Sequence, residues 1–492
     1  MNRIICCTQY RLLTSLVVAG IVLTPALVSA EEQRIRALID QTLEQLETSV
    51  EPLELTADRN YSLSADGATY TATFQHFGLA FDEGTFEAGP VIVTLTVLDG
   101  DEISIDTQIA NTLTLREGDE LIGELSIGGQ ALSGTWSEPL EAFRLIDITL
   151  EDLHLQVSNE PFEGRIGYLS VQQQLDVATD ATWQQAQDLR LDDLQLMIME
   201  TDIRLSQLSS GTELAGKAYP QLRELLARLN ELAEQSEALD MTAEAPDAAL
   251  ESVIPLFETL SEMSKLIDHY RGSLAGRELT MHEAKDSLGG LDQFAIHSSA
   301  DNRGELPELG FSLSMDGARS PTQTWPPELL PRSAHFELRL RHIPEDLFNR
   351  ILHIGLDSEG VHSDLQALYW QQQLLGVLME SALELRIPDT FIATDLSRTD
   401  LDLRAAVAPD TLLGGVGELN LYITNMEALI EATGAGQNPA IAPMLAMITA
   451  FSERRQGEDG QTVDAFELAV TEQGRLMLNN KDITALLMPQ AQ

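Results

Sequence analysis

The sequence predicts a mainly antiparallel α+β protein: an extended, curved β-sheet with an inserted helical hairpin and C-terminal β-α units. Three observations predict it. Between Leu53 and Val157 apolar and polar residues alternate in short runs separated by turn signals, the period of strands with one wet face. Two octets, Ile148-Thr149-Leu150-Glu151-Asp152-Leu153-His154-Leu155 and Leu189-Arg190-Leu191-Asp192-Asp193-Leu194-Gln195-Leu196, repeat a pattern in which an acidic pair interrupts that alternation. The extra residue moves the apolar set to the opposite face unless a bulge or bend absorbs it, so each octet reads as part of a long bent strand. Around Lys217 the period becomes helical.

Taken in order, residues 1–30 read as a secretory signal peptide. Arg3 and Arg11 supply a basic start, Leu12 to Leu23 an apolar core, Pro25 a break, and Val28-Ser29-Ala30 a small-residue site, so cleavage is expected after Ala30. An uncleaved anchor is the rival reading, because Leu12 to Ser29 nearly spans a bilayer. Both cysteines, Cys6 and Cys7, precede the apolar core, so the cleaved chain is expected to lack disulfides, thiolate metal sites and a cysteine nucleophile. The expected location is periplasmic or secreted, with no transmembrane span after cleavage.

Residues 31–214 are expected to hold an N-terminal helix and a β-rich region. Ile35, Leu38, Ile39, Leu43 and Leu46 fall on a helical beat, which predicts a short surface helix docked on the first strands. Alternation in 68–74, 91–97 and 103–109, with turns at Ala65-Asp66-Gly67, Asp99-Gly100-Asp101 and Glu117-Gly118-Asp119, predicts an antiparallel meander. Residues 215–273 read as a helical hairpin. Pro220 opens a helix carrying Leu222, Leu225, Leu226, Leu229 and Leu232, and 240–246 connects. A second helix presents Leu256, Phe257, Leu260, Met263, Ile267 and Tyr270 and stops at Gly272. The apolar stripe of the pair is expected to cap the end of a sheet.

Residues 274–319 return to strand, and 320–333, containing Pro321, Pro326 and Pro327, form a proline-rich linker and the best candidate boundary. In the C-terminal region, 334–492, a strand-then-helix unit recurs. Residues 336–340 run into Pro344-Glu345-Asp346-Leu347, 383–387 into Pro388-Asp389, and 419–423 into Asn425-Met426-Glu427-Ala428-Leu429. Proline, asparagine and acidic residues suit helix starts, where unpaired N–H groups and the macrodipole favour them. Residues 464–470, a Gln473-Gly474 turn and 475–479 predict a closing hairpin.

Composition narrows function. The 492 residues include 78 acidic and 30 basic side chains, a net charge of -48, with 43% hydrophobic residues. That hydrophobic share argues against wholesale disorder. Such a field repels phosphate backbones, so nucleic acid is not an expected partner, and it repels anionic headgroups unless divalent cations bridge them.

Chemical motifs are sparse. His282-Glu283-Ala284-Lys285-Asp286 resembles H-E-x-x-H, with Asp286 in place of the second histidine. That motif needs a helix to set two imidazoles on one face of zinc, whereas Leu279-Thr280-Met281 alternates like a strand and 286–290 reads as a turn. His335 and His342 flank a strand, and His353 and His362 stand nine apart, so neither pair makes a compact ligand set. Asp99, Asp101 and Asp106 lack calcium-loop spacing. Ser126 lacks the glycine of a nucleophile elbow, no phosphate loop occurs, and Gly415-Val416-Gly417 precedes a strand instead of following one. The pairs Glu151-Asp152 and Asp192-Asp193 tend to point apart on strands, whereas a glycosidase pair must face one cleft. No catalytic residue, cofactor or metal is therefore expected. The alternative is a hydrolase, metal-assisted around His282 and Glu283 or carboxylate-based.

The strand, helix, polar hairpin and final Gly474-Arg475-Leu476-Met477-Leu478-Asn479-Asn480 resemble the YdgA-like exported bacterial proteins. Leu132-Ser133-Gly134-Thr135-Trp136 and Gly415-Val416-Gly417-Glu418-Leu419 are similar to the group called domain of unknown function 2125. The resemblance implies an envelope location and carries no catalytic residue. A long bent sheet also resembles, at the level of fold, the lipid-conducting grooves of AsmA-like envelope proteins. The expectation is a non-enzymatic binding or structural protein whose amphipathic sheet meets a partner protein or lipid acyl chains.

Overall fold

Among its described residues the computed structural model is mainly β-strand with few helices, and the sheet pairing is antiparallel wherever its register is defined. The structure describes residues 31–49, 54–57, 61–81, 84–98, 101–118, 120–158, 162–237, 255–256, 258–283, 286–304, 307–320, 327–344, 350, 354, 369–370, 372–374, 376–377, 380, 382–411, 414–433, 449–457 and 460–484. The expected signal peptide, the 240–246 connector and the histidines at 353 and 362 lie outside them. The chain divides into two compact units. The first is Met1–Asp176, Gln185–Thr212 and Gly276–Leu288, and the second is Val177–Gln184, Glu213–Ala275 and Gly289–Gln492.

The first unit begins with helix α1 (Glu31–Ser49), followed by β1 (Glu54–Ala57), β2 (Ser62–Asp66), β3 (Thr69–Phe74), β4 (Phe77–Phe81) and β5 (Gly84–Glu87). Then come β6 (Val91–Val97), β7 (Glu102–Gln108), β8 (Thr112–Glu117), β9 (Glu120–Ser126) and β10 (Gly129–Ser137). The expected meander is corrected here. Strands pair in the order β2-β3-β6-β7-β10 in one branch and β1-β4-β5-β8-β9 in a second, so successive hairpins alternate between branches. Both branches end on β11 (Ala142–Val157), β10 pairing with 142–151 and β9 with 154–157. Period-two alternation marks a strand as one-sided but not which strand lies beside it.

The core of this unit collects inward side chains from both branches, among them Leu95, Ile103, Ile105 and Leu113, together with Ile35, Leu38, Ile39 and Leu43 of α1. Ile35, Leu38, Ile39 and Leu43 are buried while Glu32, Gln33, Ala37 and Asp40 are exposed, so α1 docks one apolar face on this core, as its helical beat predicted. Arg34 of α1 forms an ion pair with Glu138, and the Tyr61 hydroxyl donates to Asp40 Oδ1 at 3.2 Å. Burial first, and the adjacent Asp40 second, push the Tyr61 hydroxyl well above its ordinary range.

Six long strands follow one another: β11, β12 (Phe162–Val177), β13 (Trp183–Ile198), β14 (Thr201–Gly216), β15 (Ile267–Glu283) and β16 (Asp286–Asp301). Both acidic doublets lie within these strands, and their second members take left-handed backbone, Asp152 at φ 51° and Asp193 at φ 54°. Paired positions Ile148–Val171 and Leu150–Leu169 are followed by Leu153–Ile166 and Leu155–Gly164, three residues on instead of two. The register of β11 on β12 nevertheless stays constant from Leu145–Gln174 to Val157–Phe162. The two strands therefore change face together at Asp152 and Gly167, a shared bend with no extra residue in either strand. Glycine lines this bend because space is short: a Cβ on Gly128 would stand 2.7 Å from Asp152 Cβ, and one on Gly167 3.1 Å from Asp193 Cβ.

In the second unit, α2 (Tyr219–Glu237) buries Tyr219, Leu222 and Leu225, with the Tyr219 ring 6.3 Å from Trp183. Residues 258–264 are helical, but the expected second helix overshoots the structure: Ile267, Tyr270 and Gly272 lie in β15. Asn302 Nδ2 donates to the Ile267 carbonyl and Tyr270 shares a hydroxyl contact with Ser298, so long-range partners take these residues from the helix. Downstream are β17 (Glu308–Asp316), a 3-10 turn (Pro327–Leu329), β18 (Ser333–Arg341), β19 (Glu384–Ala393), β20 (Arg398–Val407) and β21 (Gly415–Thr424). Helix α3 (Met426–Thr433), β22 (Glu453–Gln456), β23 (Thr462–Val470), β24 (Leu476–Leu478) and β25 (Lys481–Asp482) complete it.

These strands form an up-and-down order, β16-β17-β18-β19-β20-β21-β23, with β22 and β24 both on β23. Asp316 and Ser333 pair directly, so the proline-rich 320–333 stretch joins neighbouring strands of one sheet. Pro388-Asp389 is a bulge inside β19 instead of a helix start. Proline offers no N–H to the ladder, Asp389 takes φ 49°, and the Glu337 amide donates to Thr390 Oγ1 at 3.1 Å. Of the other two expected helix starts, Pro344 is followed by residues outside the described set, and Asn425 precedes α3.

Candidate functional site

Register sorts the side chains of the second unit's sheet onto two faces, because alternate residues of a strand share a side. One face is apolar across its width. Ala300, Leu309, Leu340, Leu385, Ala405, Gly417, Val470 and Leu476 form one cross-strand row. Leu313 pairs with Ile296 and Phe336, Leu421 with Leu401 and Phe466, and Leu419 with Leu403 and Leu468. The Phe311 and Phe336 rings lie 6.4 Å apart, tilted at 56°. This face is incompletely covered: Phe311 is 39%, Leu313 40% and Ile392 52% exposed. Contiguous exposed apolar surface of this kind marks a place where something else packs.

The opposite face is polar and internally paired. Arg339, Arg386, Arg404 and Glu418 stand in one cross-strand row, an arrangement of like charges that needs a counterion. Glu384 provides it. Its Oε1 accepts from Arg386 Nε at 2.8 Å and Arg404 Nε at 2.7 Å, and the residue is 5% exposed. Burial alone would raise the Glu384 carboxyl, but the hydrogen bonds from both arginines outweigh it and hold the carboxyl below its ordinary value. A second network joins Arg455, Glu467 and Tyr422: Arg455 Nη1 donates to Glu467 Oε1 at 2.6 Å, and the Tyr422 hydroxyl donates to the same oxygen at 3.0 Å. Arg398 lies 4.1 Å over the Phe391 ring.

The sequence analysis did not single out these networks. Their signal was present as acid and arginine two residues apart, which a strand places on one face: Glu337 with Arg339, Glu384 with Arg386, Arg398 with Asp400, and likewise Asp202 with Arg204 in the first unit.

The residues of the metal-assisted alternative do not converge on each other. His282 and Glu283 are consecutive in β15, so their side chains leave opposite faces of the strand. His282 lies close enough to Asp202 to help lower that carboxyl, after the larger effect of the Arg204 hydrogen bond. Among the described residues no group of three or more histidine, cysteine, aspartate or glutamate side chains is placed to hold a metal ion. His335 sits 3.7 Å from Glu337 within the polar face. The doublets Glu151-Asp152 and Asp192-Asp193 serve the bend.

The fold thus defines a mainly antiparallel β protein with one apolar and one arginine-paired sheet face in its second unit. No protein-family model, curated protein or solved structure matches the chain. Among the described residues no helix is long and apolar enough to cross a membrane.

Proposed function

We propose that this chain is an exported, non-enzymatic envelope protein that holds lipid acyl chains on the apolar face of its second unit's sheet. The incomplete cover over Phe311, Leu313 and Ile392, on rows in which Leu338, Phe336, Ile296 and Ala334 outnumber Ser298 and Thr399, carries the reading. Such rows provide dispersion and burial but few hydrogen-bonding groups, which suits hydrocarbon better than a protein surface with polar positions to satisfy. In this reading the finer arrangement is α+β: an inserted helical hairpin that ends before Ile267, and a C-terminal β-α unit at α3, accompany the curved sheet. The signal peptide, cleaved after Ala30, delivers the chain to the envelope, in keeping with the YdgA-like resemblance.

The test is solvent extraction of purified protein followed by lipid mass spectrometry. Lipid is expected to co-purify in near-stoichiometric amount, and to fall about tenfold or more when Leu313→Glu and Ile392→Glu put charge on the face. Protein free of lipid, or lipid content indifferent to both substitutions, overturns the reading. A co-purifying polypeptide lost in the same variant would replace the acyl chains with a protein partner.

A further inference from the structure

On its apolar side, the second unit's sheet ends in a polar rim whose position the register fixes. The last apolar row runs Phe294, Met315, Ala334 and Ile392 across β16, β17, β18 and β19, with Ile392 52% exposed. The pairing of β16 with β17 continues past Gln293–Asp316 to a bridge between Gly290 and Arg319 in the same register, which sets Asp292 opposite Gly317. On the other side the Gly317 amide donates to the Arg332 carbonyl at 2.7 Å, next to the Asp316–Ser333 pair. Alternate residues share a side, so Asp292, Gly317 and Arg332 form the next row beyond Phe294, Met315 and Ala334. A Cβ on Gly317 would collide with the Asp292 carboxylate, which therefore lies over that glycine.

Each charge of the rim has a partner of opposite sign. Arg319 Nη2 lies 2.7 Å from Asp292 Oδ1. Arg332 donates from Nε and Nη2 to the two oxygens of Asp395 at 2.8 and 2.6 Å, and these bonds hold the Asp395 carboxyl below its ordinary range. All four side chains are exposed. The rim thus presents two guanidiniums and two carboxylates in balance, in a chain whose 78 acidic residues outnumber 30 basic ones. A guanidinium keeps N–H donors beyond those a carboxylate engages, and a carboxylate keeps further acceptor sites. The rim can therefore take an anionic and a cationic group side by side, one over an arginine and the other over an aspartate. A headgroup carrying only negative charge would find each arginine already offset and the field of the whole chain against it.

We infer that the lipid on this face is a zwitterionic phospholipid, its acyl chains on the rows that end at Met315, Ala334 and Ile392, its phosphate against Arg319 and Arg332, and its ammonium against Asp292 and Asp395. The inference rests on the acyl-chain reading and adds the headgroup to it.

The probe is a vesicle of phosphatidylethanolamine and phosphatidylglycerol in equal parts with identical acyl chains. The full chain is incubated with it and separated, and the captured lipid is identified by mass spectrometry. Phosphatidylethanolamine is expected to exceed phosphatidylglycerol by about fivefold or more. Asp292→Asn with Asp395→Asn leaves both guanidiniums without counterions, and is expected to shift that ratio about fivefold or more toward phosphatidylglycerol while total lipid stays within about twofold. Either substitution alone should shift it the same way by less. Both aspartates are exposed, so an unchanged circular dichroism spectrum confirms that the variants remain folded. Lipid captured in the proportions of the vesicle overturns the inference and leaves the acyl-chain reading standing, whereas absence of lipid overturns both. A preference for phosphatidylethanolamine that the substitutions leave unchanged also overturns the inference. Removing two carboxylates barely alters a net charge of -48, so the overall field and not the rim would then be choosing.

Discussion

At the scale of single residues, Glu384 shows how a buried charge is tolerated. Two guanidiniums share its carboxylate, and without it Arg386 and Arg404 would face each other across neighbouring strands. Its folded pKa lies below the ordinary 4.5, so the stability it contributes is present above that value and is lost as the pH falls through the lowered one. Glu384→Gln is expected to cost about 1–3 kcal/mol at neutral pH. Urea unfolding checks this, and the gap between variant and parent should close in acid. A gap of constant size down to about pH 3 would mean that shape, not charge, sets the cost. Asn479 shows a different economy. Its amide N and Oδ1 both engage the Glu467 backbone, and Nδ2 donates to the Phe451 carbonyl at 2.7 Å. Asn479 and Asn480 take φ 45° and 62° between β24 and β25, the backbone that two-residue hairpin loops require and that asparagine tolerates.

At the scale of elements, the doubled acids announced a bend that the alternation alone could not describe. Each doublet was legible as a break of phase. What was not legible is that the neighbouring strand bends with it, because Gly167 and Gly128 stand far from Asp152 in sequence and act only by proximity. The bend predicts an order among variants. Gly128→Ala should destabilise by about 1–3 kcal/mol and by more than Gly167→Ala, whose added carbon meets Asp193 less closely. Asp152→Gly should be neutral or stabilising by up to about 1 kcal/mol, since glycine adopts positive φ without a Cβ penalty. Thermal or chemical denaturation ranks the three, and a destabilised Asp152→Gly would show that the aspartate side chain, not its backbone, makes the bend. The helical reading of Ile267 and Tyr270 failed for a related reason. Their spacing suits a helix, but partners at Asn302 and Ser298 draw them into a strand. Pro388-Asp389 has the composition of a helix start and is a bulge because strands on both sides hold β19.

At the scale of the whole molecule, a net charge of -48 opposes compaction at low ionic strength. The screening length falls from about 30 Å at 0.01 M to about 8 Å at 0.15 M salt, so the thermal midpoint is expected to rise by a few degrees over that range. A calorimetric series in sodium chloride checks it, and a falling midpoint would mean that exposed pairs such as Arg332 with Asp395 outweigh the repulsion. The sequence by itself determined that the chain is mainly antiparallel β, where its strands are one-sided and where their phase breaks, because these depend on residues a few positions apart. Only the tertiary structure decided that hairpins of the first unit alternate between two branches meeting on β11, and that one face of the second unit's sheet is left partly open. Those outcomes depend on which distant strands become neighbours, and a period of two is the same whichever neighbour a strand finds.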